Sequence, residues 1–156
     1  SLALIHQDLY QSNNLVKVNS RNYFENLLEN IQSTYKSVKC EITIERDIEN
    51  VELKMALAVP LGLILNELVT NSYKYAFRKS DSGCISVHFK KDDDHYLLQV
   101  TDDGQGISKT YYSDNVDSFG LQLVKGLTDQ LGGTIDIGVD QGTHFDIAVM
   151  DLEEVA

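Results

Sequence analysis

The sequence predicts an α+β fold, a two-layer α/β sandwich in which three helices cover one face of a mixed, mostly antiparallel sheet. Three observations predict it. Two alternating segments, 84–91 and 96–103, are separated by only four residues rich in aspartate, which is typical of an antiparallel hairpin. Apolar residues recur at helical spacing in 20–31, 61–77 and 121–131. Short links join neighbouring strands, so most of the sheet is antiparallel.

The first third of the chain is predicted to be mostly helical. Residues 2–12 have apolar side chains at helical spacing, which indicates the end of a helix, and 15–18 follow as an extended link. Ser20 is predicted to cap the next helix. The apolar face of that helix consists of Tyr23, Phe24, Leu27, Leu28 and Ile31.

The rest of the chain alternates strands with two more helices. A strand with one wet face is predicted at 40–46, and a brief edge strand follows at 51–53. The central helix is predicted to start near Pro60, because proline suits a first helical turn. Residues 104–118 show no period and indicate a loop, and Gly132 closes the last helix. The sheet is completed by 134–139 and 143–150.

Composition excludes several classes of function. The 156 residues fit one domain, and the net charge of −11 predicts repulsion from nucleic acid and anionic membranes. Two cysteines without close spacing indicate reduced thiols, and there is no apolar run of transmembrane length. We therefore expect a cytoplasmic domain, which can also be the cytoplasmic part of a membrane-bound sensor. Because the chain lacks an initiator methionine, we expect a piece of a longer protein.

The central helix gathers polar residues on one face. Glu67, Asn71 and Lys74 fall within about 60° of arc when each residue turns about 100°. A solvated helix face is the ordinary explanation for such a group. Asparagine, however, is a poor helix former with no capping role in mid-helix, so its presence favours a function.

Three further motifs follow along the chain. "DDGQG" (102–106) ends a strand, "FGLQLV" (119–124) opens a helix, and "GTHF" (142–145) opens the last strand. Alone, "DDGQG" would be a plain Asp-Gly turn. Gly120 lies at a helix start, where free N–H groups and the helix dipole favour phosphate.

In this order and spacing, the four motifs resemble the ATP-binding domain of sensor histidine kinases, in the ATPase class shared with gyrase, heat-shock chaperones and MutL-type repair proteins. The resemblance covers about residues 1–150 and implies a Bergerat-type fold. "VPLGLILNELVTNSYKYAF" and "HQDLYQS" are similar to the subclass with the second type of dimerisation and phosphoacceptor region. Residues 1–17 are then the remnant of the second hairpin helix plus a link, and 18–156 are the catalytic domain.

The resemblance implies roles at the phosphate end of an ATP site. Glu67 matches the catalytic position that orients or activates a group near the γ-phosphate. Asn71 matches the asparagine that holds Mg²⁺, through an amide oxygen that adds no charge. Lys74 can reach the phosphates as a point charge, and Gly120 approaches them at a helix start. The resemblance adds two further nucleotide-binding residues, Tyr75 and Leu121.

At the base end, Asp102 matches the aspartate that accepts a hydrogen bond from the adenine amino group. A carboxylate accepts only, so it favours this group over the guanine carbonyl. Gly104 and Gly106 let the backbone approach the base. Ile107 would lie against the adenine ring, and Thr143 would complete the polar network through water.

The implied full protein is a homodimer that donates the γ-phosphoryl group of ATP to a histidine of an upstream helix. A response-regulator receiver domain then takes it on an aspartate. None of the four histidines lies in a phosphoacceptor motif, and His6 lies in sequence similar to the second hairpin helix. We therefore expect no autophosphorylation by this chain alone.

Two alternatives remain open. An anti-sigma-type protein serine kinase would have the same nucleotide site and another acceptor, although "HQDLYQS" argues against it. A degenerate scaffold domain would explain Ser118 where many relatives have glycine, and the short loop 108–117. The presence of Glu67, Asn71 and Asp102 argues against that alternative.

Overall fold

The computed structural model describes residues 16–36, 40–77, 82–104, 119–139 and 141–150. These ranges contain seven strands, three α-helices and one π-helical segment that continues the second helix. In chain order they are β1 (Lys17–Asn19), α1 (Ser20–Thr34), β2 (Glu41–Ile48), β3 (Glu52–Lys54), α2 (Met55–Asn71), the π segment (Ser72–Ala76), β4 (Ser82–Asp92), β5 (His95–Asp102), α3 (Phe119–Gln130), β6 (Thr134–Val139) and β7 (Thr143–Met150).

Five strands form one mixed sheet in the order β2-β4-β5-β7-β6. Only β2 and β4 run parallel, and the other three pairs are antiparallel. The helical layer packs on one face, where Phe89, Leu98 and Ile147 lie side by side in register and are almost fully buried. The predicted α+β fold, with its mostly antiparallel mixed sheet, is confirmed.

Helix α2 is the centre of the helical layer, with α1 on one side and α3 on the other. Its residues Leu61, Ile64 and Leu65 have no exposed surface, which explains the strongly apolar sequence. The prediction that the chain has no apolar run of transmembrane length was wrong. By length and composition alone, the stretch Met55–Ala76 could cross a membrane, but 67% of its most apolar window is buried inside the described fold. That burial is what a core helix of a globular domain requires.

Two predicted helix starts were wrong. The N-cap of α1 is Asn19, whose side chain accepts the backbone N–H of Asn22 at 3.0 Å. Ser20 is instead fully buried and uses its hydroxyl to bridge the backbone of Glu49 and Val51. Helix α2 begins at Met55, five residues before Pro60.

Pro60 therefore stands inside α2 and removes a single hydrogen bond near the helix start. That loss is offset by burial, since the residue packs inside the core. The predicted start was wrong because it considered only the intrinsic cost of proline inside a helix. The apolar packing of Pro60 in the core outweighs that cost.

The predicted extended link and the brief edge strand pair with each other as β1 and β3, in a separate two-stranded sheet. Strand β1 lies across the predicted domain boundary between residues 17 and 18. The predicted hairpin is confirmed, with Asp92 opposite His95 and Asp93 at a positive φ of 53° in the turn. The predicted helix at 2–12 and almost all of the loop at 104–118 lie outside the described residues.

Candidate nucleotide-binding site

Four predicted motifs converge at the C-terminal half of α2. Asp102 ends β5, and Thr143 begins β7 directly opposite it in the register. Both residues lie on the face of the sheet that carries the helices, and both are buried. Gly120, in the first turn of α3, reaches the same part of α2.

The Asp102 carboxylate is held by three hydrogen bonds although it is only 6% exposed. Its Oδ2 accepts the Ser72 hydroxyl at 3.0 Å. Its Oδ1 accepts the backbone N–H groups of Gly104 at 3.1 Å and Thr143 at 3.3 Å. The donors lie in the π segment, just after β5 and at the start of β7, so the carboxylate links the end of β5 to the π segment and to β7.

Burial raises the pKa of the Asp102 carboxyl above its ordinary value, because a buried charge loses its hydration. The hydrogen bonds from Ser72, Gly104 and Thr143 act in the opposite direction, and the neighbouring Asp103 raises the pKa further. Keeping Asp102 charged therefore costs free energy, and the three hydrogen-bond donors offset part of that cost.

Two glycines allow the backbone to close around Asp102. A Cβ on Gly142 would lie 1.8 Å from the backbone oxygen of Asp102, and this glycine has a φ of +121°. A Cβ on Gly104 would lie 2.4 Å from the backbone oxygen of Ala76, at the end of the π segment. Any side chain at either position would push these backbone segments apart.

Glu67, Asn71 and Gly120 form a second cluster at the start of α3. A Cβ on Gly120 would lie 2.6 Å from Oε2 of Glu67 and 3.9 Å from Nδ2 of Asn71. Because glycine has no side chain, the Glu67 carboxylate approaches the backbone of the helix start, where free N–H groups favour negative charge. The backbone N–H groups of this helix start can accept a phosphate group for the same reason, whereas the Glu67 carboxylate repels one.

Lys74 and Asn71 face different neighbours. Lys74 lines a groove of about 310 Å³ between α1 and α2, together with Glu67, Thr70 and Thr34. Lys74 therefore lies on the α1 side of α2, whereas Asn71 lies toward Gly120. Glu67 belongs to both sides.

The remaining predicted site residues occupy different surroundings. Tyr75 is half-buried in the π segment, and Leu121 is buried in the core, which leaves only its backbone for a contact with phosphate. Gly106 and Ile107 lie outside the described residues.

Sequence reasoning missed Ser72 as a site residue, because Ser72 falls on the buried stripe of α2. A serine in an otherwise apolar stripe must find a hydrogen-bond partner, and that requirement was the available signal.

The described residues fit an adenine nucleotide. The Thr143 hydroxyl is buried without a hydrogen-bond partner in the described part of the chain, directly beside Asp102. A purine with a C6 amino group brings a donor for Asp102 and a ring-nitrogen acceptor for a water or hydroxyl network. The described ranges contain no group of three or more His, Cys, Asp or Glu residues arranged to hold a metal ion. The Asn71 amide oxygen is a ligand of the kind that Mg²⁺ binds together with phosphate oxygens and water.

The fold and the site define an ATPase class, and sequence comparison agrees with it. The chain belongs to the family of histidine kinase-, DNA gyrase B- and HSP90-like ATPases, whose sequence profile matches residues 56–154. A second profile, described as histidine kinase, matches residues 1–35. The predicted family resemblance is confirmed.

Within this class, the similar proteins are sensor histidine kinases. The chain is 30% identical over 137 residues to sensor histidine kinase PdtaS of Mycolicibacterium smegmatis, covering 86% of this chain and 27% of that protein. It is 26% identical over 97 residues to blue-light-activated histidine kinase 2 of Erythrobacter litoralis, covering 62% and 28%. The chain thus spans little more than a quarter of these relatives.

A solved structure supports the fold. The histidine kinase domain of the EL346 blue-light activated histidine kinase from Erythrobacter litoralis superimposes with a TM-score of 0.81 at 20% identity. The match covers 94% of this chain and 71% of that one.

Proposed function

We propose that this chain contains the ATP-binding catalytic domain of a two-component sensor histidine kinase, which binds Mg·ATP and donates the γ-phosphoryl group to a histidine. One observation carries the proposal. The buried Asp102 carboxylate lies at one end of a site whose other end is Glu67, Asn71 and Gly120. Beside Asp102 lies the Thr143 hydroxyl, which has no hydrogen-bond partner among the described residues.

At the base end, Asp102 accepts the adenine amino group, and the Thr143 hydroxyl takes part in the same network. Gly104 has no side chain, so the backbone can lie close to the base. Gly106 and Ile107 are proposed to contact the base after Gly104. The three donors on Asp102 keep its orientation fixed, so the acceptor position exists before the nucleotide arrives.

At the phosphate end, Asn71 would hold Mg²⁺ through its amide oxygen, and the backbone around Gly120 and Leu121 would receive phosphate oxygens. Lys74 is proposed to reach the phosphates past Glu67 from the α1 side of the helix, and Tyr75 is proposed to reach them from the π segment. Glu67 orients or activates the acceptor group near the γ-phosphate. When bound, Mg·ATP supplies the phosphoryl group and the charge neutralisation on which phosphoryl transfer depends.

The full protein is proposed to be a homodimer with its kinase region in the cytoplasm. The match of residues 1–35 to a histidine kinase profile supports a dimerisation and phosphoacceptor helix before the catalytic domain. We propose that 1–17 belong to that region and that 18–156 form the catalytic domain. A response-regulator receiver domain is the proposed recipient of the phosphoryl group.

The same match favours a histidine acceptor over the serine acceptor of an anti-sigma-type kinase. The intact Asp102 network favours a nucleotide-binding domain over a degenerate scaffold, because a scaffold has no use for a costly buried carboxylate.

The test is calorimetric titration of this chain with ADP, GDP and a non-hydrolysable ATP analogue, with and without Mg²⁺. We expect adenine nucleotides to bind at least about tenfold more tightly than GDP, because GDP would leave Asp102 facing a carbonyl group. Mg²⁺ should strengthen binding of the ATP analogue. No binding at millimolar nucleotide by a chain with an intact circular dichroism spectrum contradicts the proposal.

A second measurement identifies the acceptor. The full-length protein is incubated with γ-labelled ATP and its phosphoprotein is treated with acid. We expect the label to be lost in acid, since phosphohistidine is acid-labile and phosphoserine is acid-stable. An acid-stable label would select the serine kinase.

A further inference from the structure

The Ser72 hydroxyl has two acceptors within reach and a single hydrogen to donate. Its Oγ lies 3.0 Å from Oδ2 of Asp102 and 3.3 Å from the backbone oxygen of Leu68. The Leu68 oxygen already accepts the backbone N–H of Ser72. Because a hydrogen bond to a carboxylate is stronger than one to a neutral carbonyl, the hydroxyl proton belongs to Asp102.

The acceptor positions of Asp102 can then be counted. A carboxylate offers about four lone-pair positions, two on each oxygen. Two N–H groups, from Gly104 and Thr143, fill those of Oδ1, and Ser72 fills one of Oδ2. Within the described part of the chain, one acceptor position remains, and it lies on Oδ2.

We propose that Ser72 is a specificity-determining positioning residue: by filling one acceptor position on Oδ2, it leaves Asp102 a single fixed acceptor that selects a purine with an amino group at C6 over one with a carbonyl group. This inference rests on the proposed function, since it concerns the same site. Ser72 acts through Asp102 and does not itself contact the base.

Selection depends on the charged form of Asp102. A protonated carboxyl group is a donor, and a donor matches the C6 carbonyl of hypoxanthine or guanine. In a buried site, each donor that is removed favours protonation. Among the described residues, the charged neighbour that acts on Asp102 is Asp103, and its negative charge also favours protonation. Without Ser72, Asp102 would be protonated more often and would discriminate less.

A purely structural role would use the hydroxyl differently. Serine and threonine in helices often donate to the carbonyl four residues earlier, which affects the helix and nothing else. Thr128 in α3 does this, since its hydroxyl is buried and donates to the oxygen of Val124 at 2.7 Å. Thr128→Val is therefore the matched control for Ser72→Ala.

The experiment measures the affinities of ADP and inosine diphosphate (IDP), which has a carbonyl at C6, for the unaltered chain, Ser72→Ala and Thr128→Val. For Ser72→Ala we expect the ADP affinity to fall about tenfold and the IDP affinity to change little. The ratio of the two affinities should fall more at pH 6 than at pH 8. Thr128→Val should leave the ratio unchanged.

Equal losses for both nucleotides, or an unchanged ratio, would overturn the inference while the proposed function stands. If the unaltered chain binds neither nucleotide, both fail. If Ser72→Ala does not fold, Ser72→Cys keeps the side-chain shape, with a slightly larger atom and a much weaker donor, and the same fall in the ratio is expected.

A ligand-free readout completes the test. A carbon-13 NMR titration of the Asp102 carboxyl should give a higher pKa in Ser72→Ala than in the unaltered chain, and Ser72→Thr should restore it. An Asp102 pKa that is the same in all three chains contradicts the proposed hydrogen bond.

Discussion

The two ends of the candidate site are built in opposite ways. At the base end, Asp102 is almost completely buried and is fixed by three hydrogen bonds before any ligand arrives. At the phosphate end, Glu67 and Asn71 are half-buried and meet the start of α3 across a glycine. Under the proposed function, the first arrangement would recognise the base, which requires fixed geometry. The second would receive the phosphate groups and the reacting acceptor.

The largest effect that tests this comparison is expected at the base end. In Asp102→Asn, the amide oxygen can still accept the N–H groups of Gly104 and Thr143. The amide nitrogen then takes the place of Oδ2 and presents donors, which cannot accept a hydrogen from the adenine amino group. ADP affinity should fall about 100-fold by calorimetry. Asp103→Asn is the matched control, because Asp103 is exposed and accepts the backbone N–H of Cys84, a bond that an amide keeps.

The same substitution should stabilise the ligand-free chain at neutral pH. The pKa of Asp102 is raised on folding, so the protonated carboxyl group stabilises the folded chain relative to the charged one. This contribution to the free energy of unfolding is fully present below the ordinary pKa of 3.8, and it is lost as the pH rises through the raised pKa of the folded chain. Urea unfolding should therefore show no gain for Asp102→Asn at the lowest pH and a gain at pH 7. A loss of stability at pH 7 would show that the carboxylate supports the fold.

An intermediate effect is expected from Asn71→Ala at the phosphate end. Removing the amide oxygen should weaken binding of a non-hydrolysable ATP analogue about tenfold in the presence of Mg²⁺. Metal-free ADP binding should change less than about threefold, since the base end is intact. Asn66→Ala, which alters a half-buried amide on the α1 side of the same helix, serves as control. If Asn71→Ala weakened nucleotide binding equally with and without Mg²⁺, this would contradict the separate roles proposed for the base end and the phosphate end.

The smallest effect is expected from Gly120→Ala. The new Cβ would displace the Glu67 carboxylate, which can move because it is the end of a flexible side chain. We expect phosphoryl transfer in the full-length protein to slow about fivefold, with ADP affinity nearly unchanged. Gly126→Ala is the matched control in α3, since a Cβ there meets nothing within 4 Å. That control should gain up to about 1 kcal/mol of stability and keep the transfer rate.

Much of this architecture could be predicted from local patterns. Alternation and short links gave the antiparallel hairpin of β4 and β5, and helical spacing gave the buried faces of α1 and α2. The start of α2 before Pro60 and the pairing of β1 with β3 depend on burial and on contacts between distant segments, which single-segment patterns do not contain.

The site divides in the same way. Glu67 and Asn71 could be placed together because four residues of regular helix connect them. The approach of Gly142 to Asp102 and the bond from Ser72 depend on the register of β5 with β7 and on the π segment. No helical wheel drawn on the sequence would direct Ser72 at an aspartate thirty residues away.

The π segment also has a consequence for how related sequences are aligned. A π turn closes its hydrogen bond over one more residue than an α turn, so it is equivalent to an insertion inside a helix. A relative with a regular helix here would match this chain through Asn71 and then require a one-residue gap within Ser72–Ala76. An ungapped alignment with such a relative would shift every residue after the gap by one column, so the roles that the resemblance implies for Lys74 and Tyr75 hold for relatives that share the π segment.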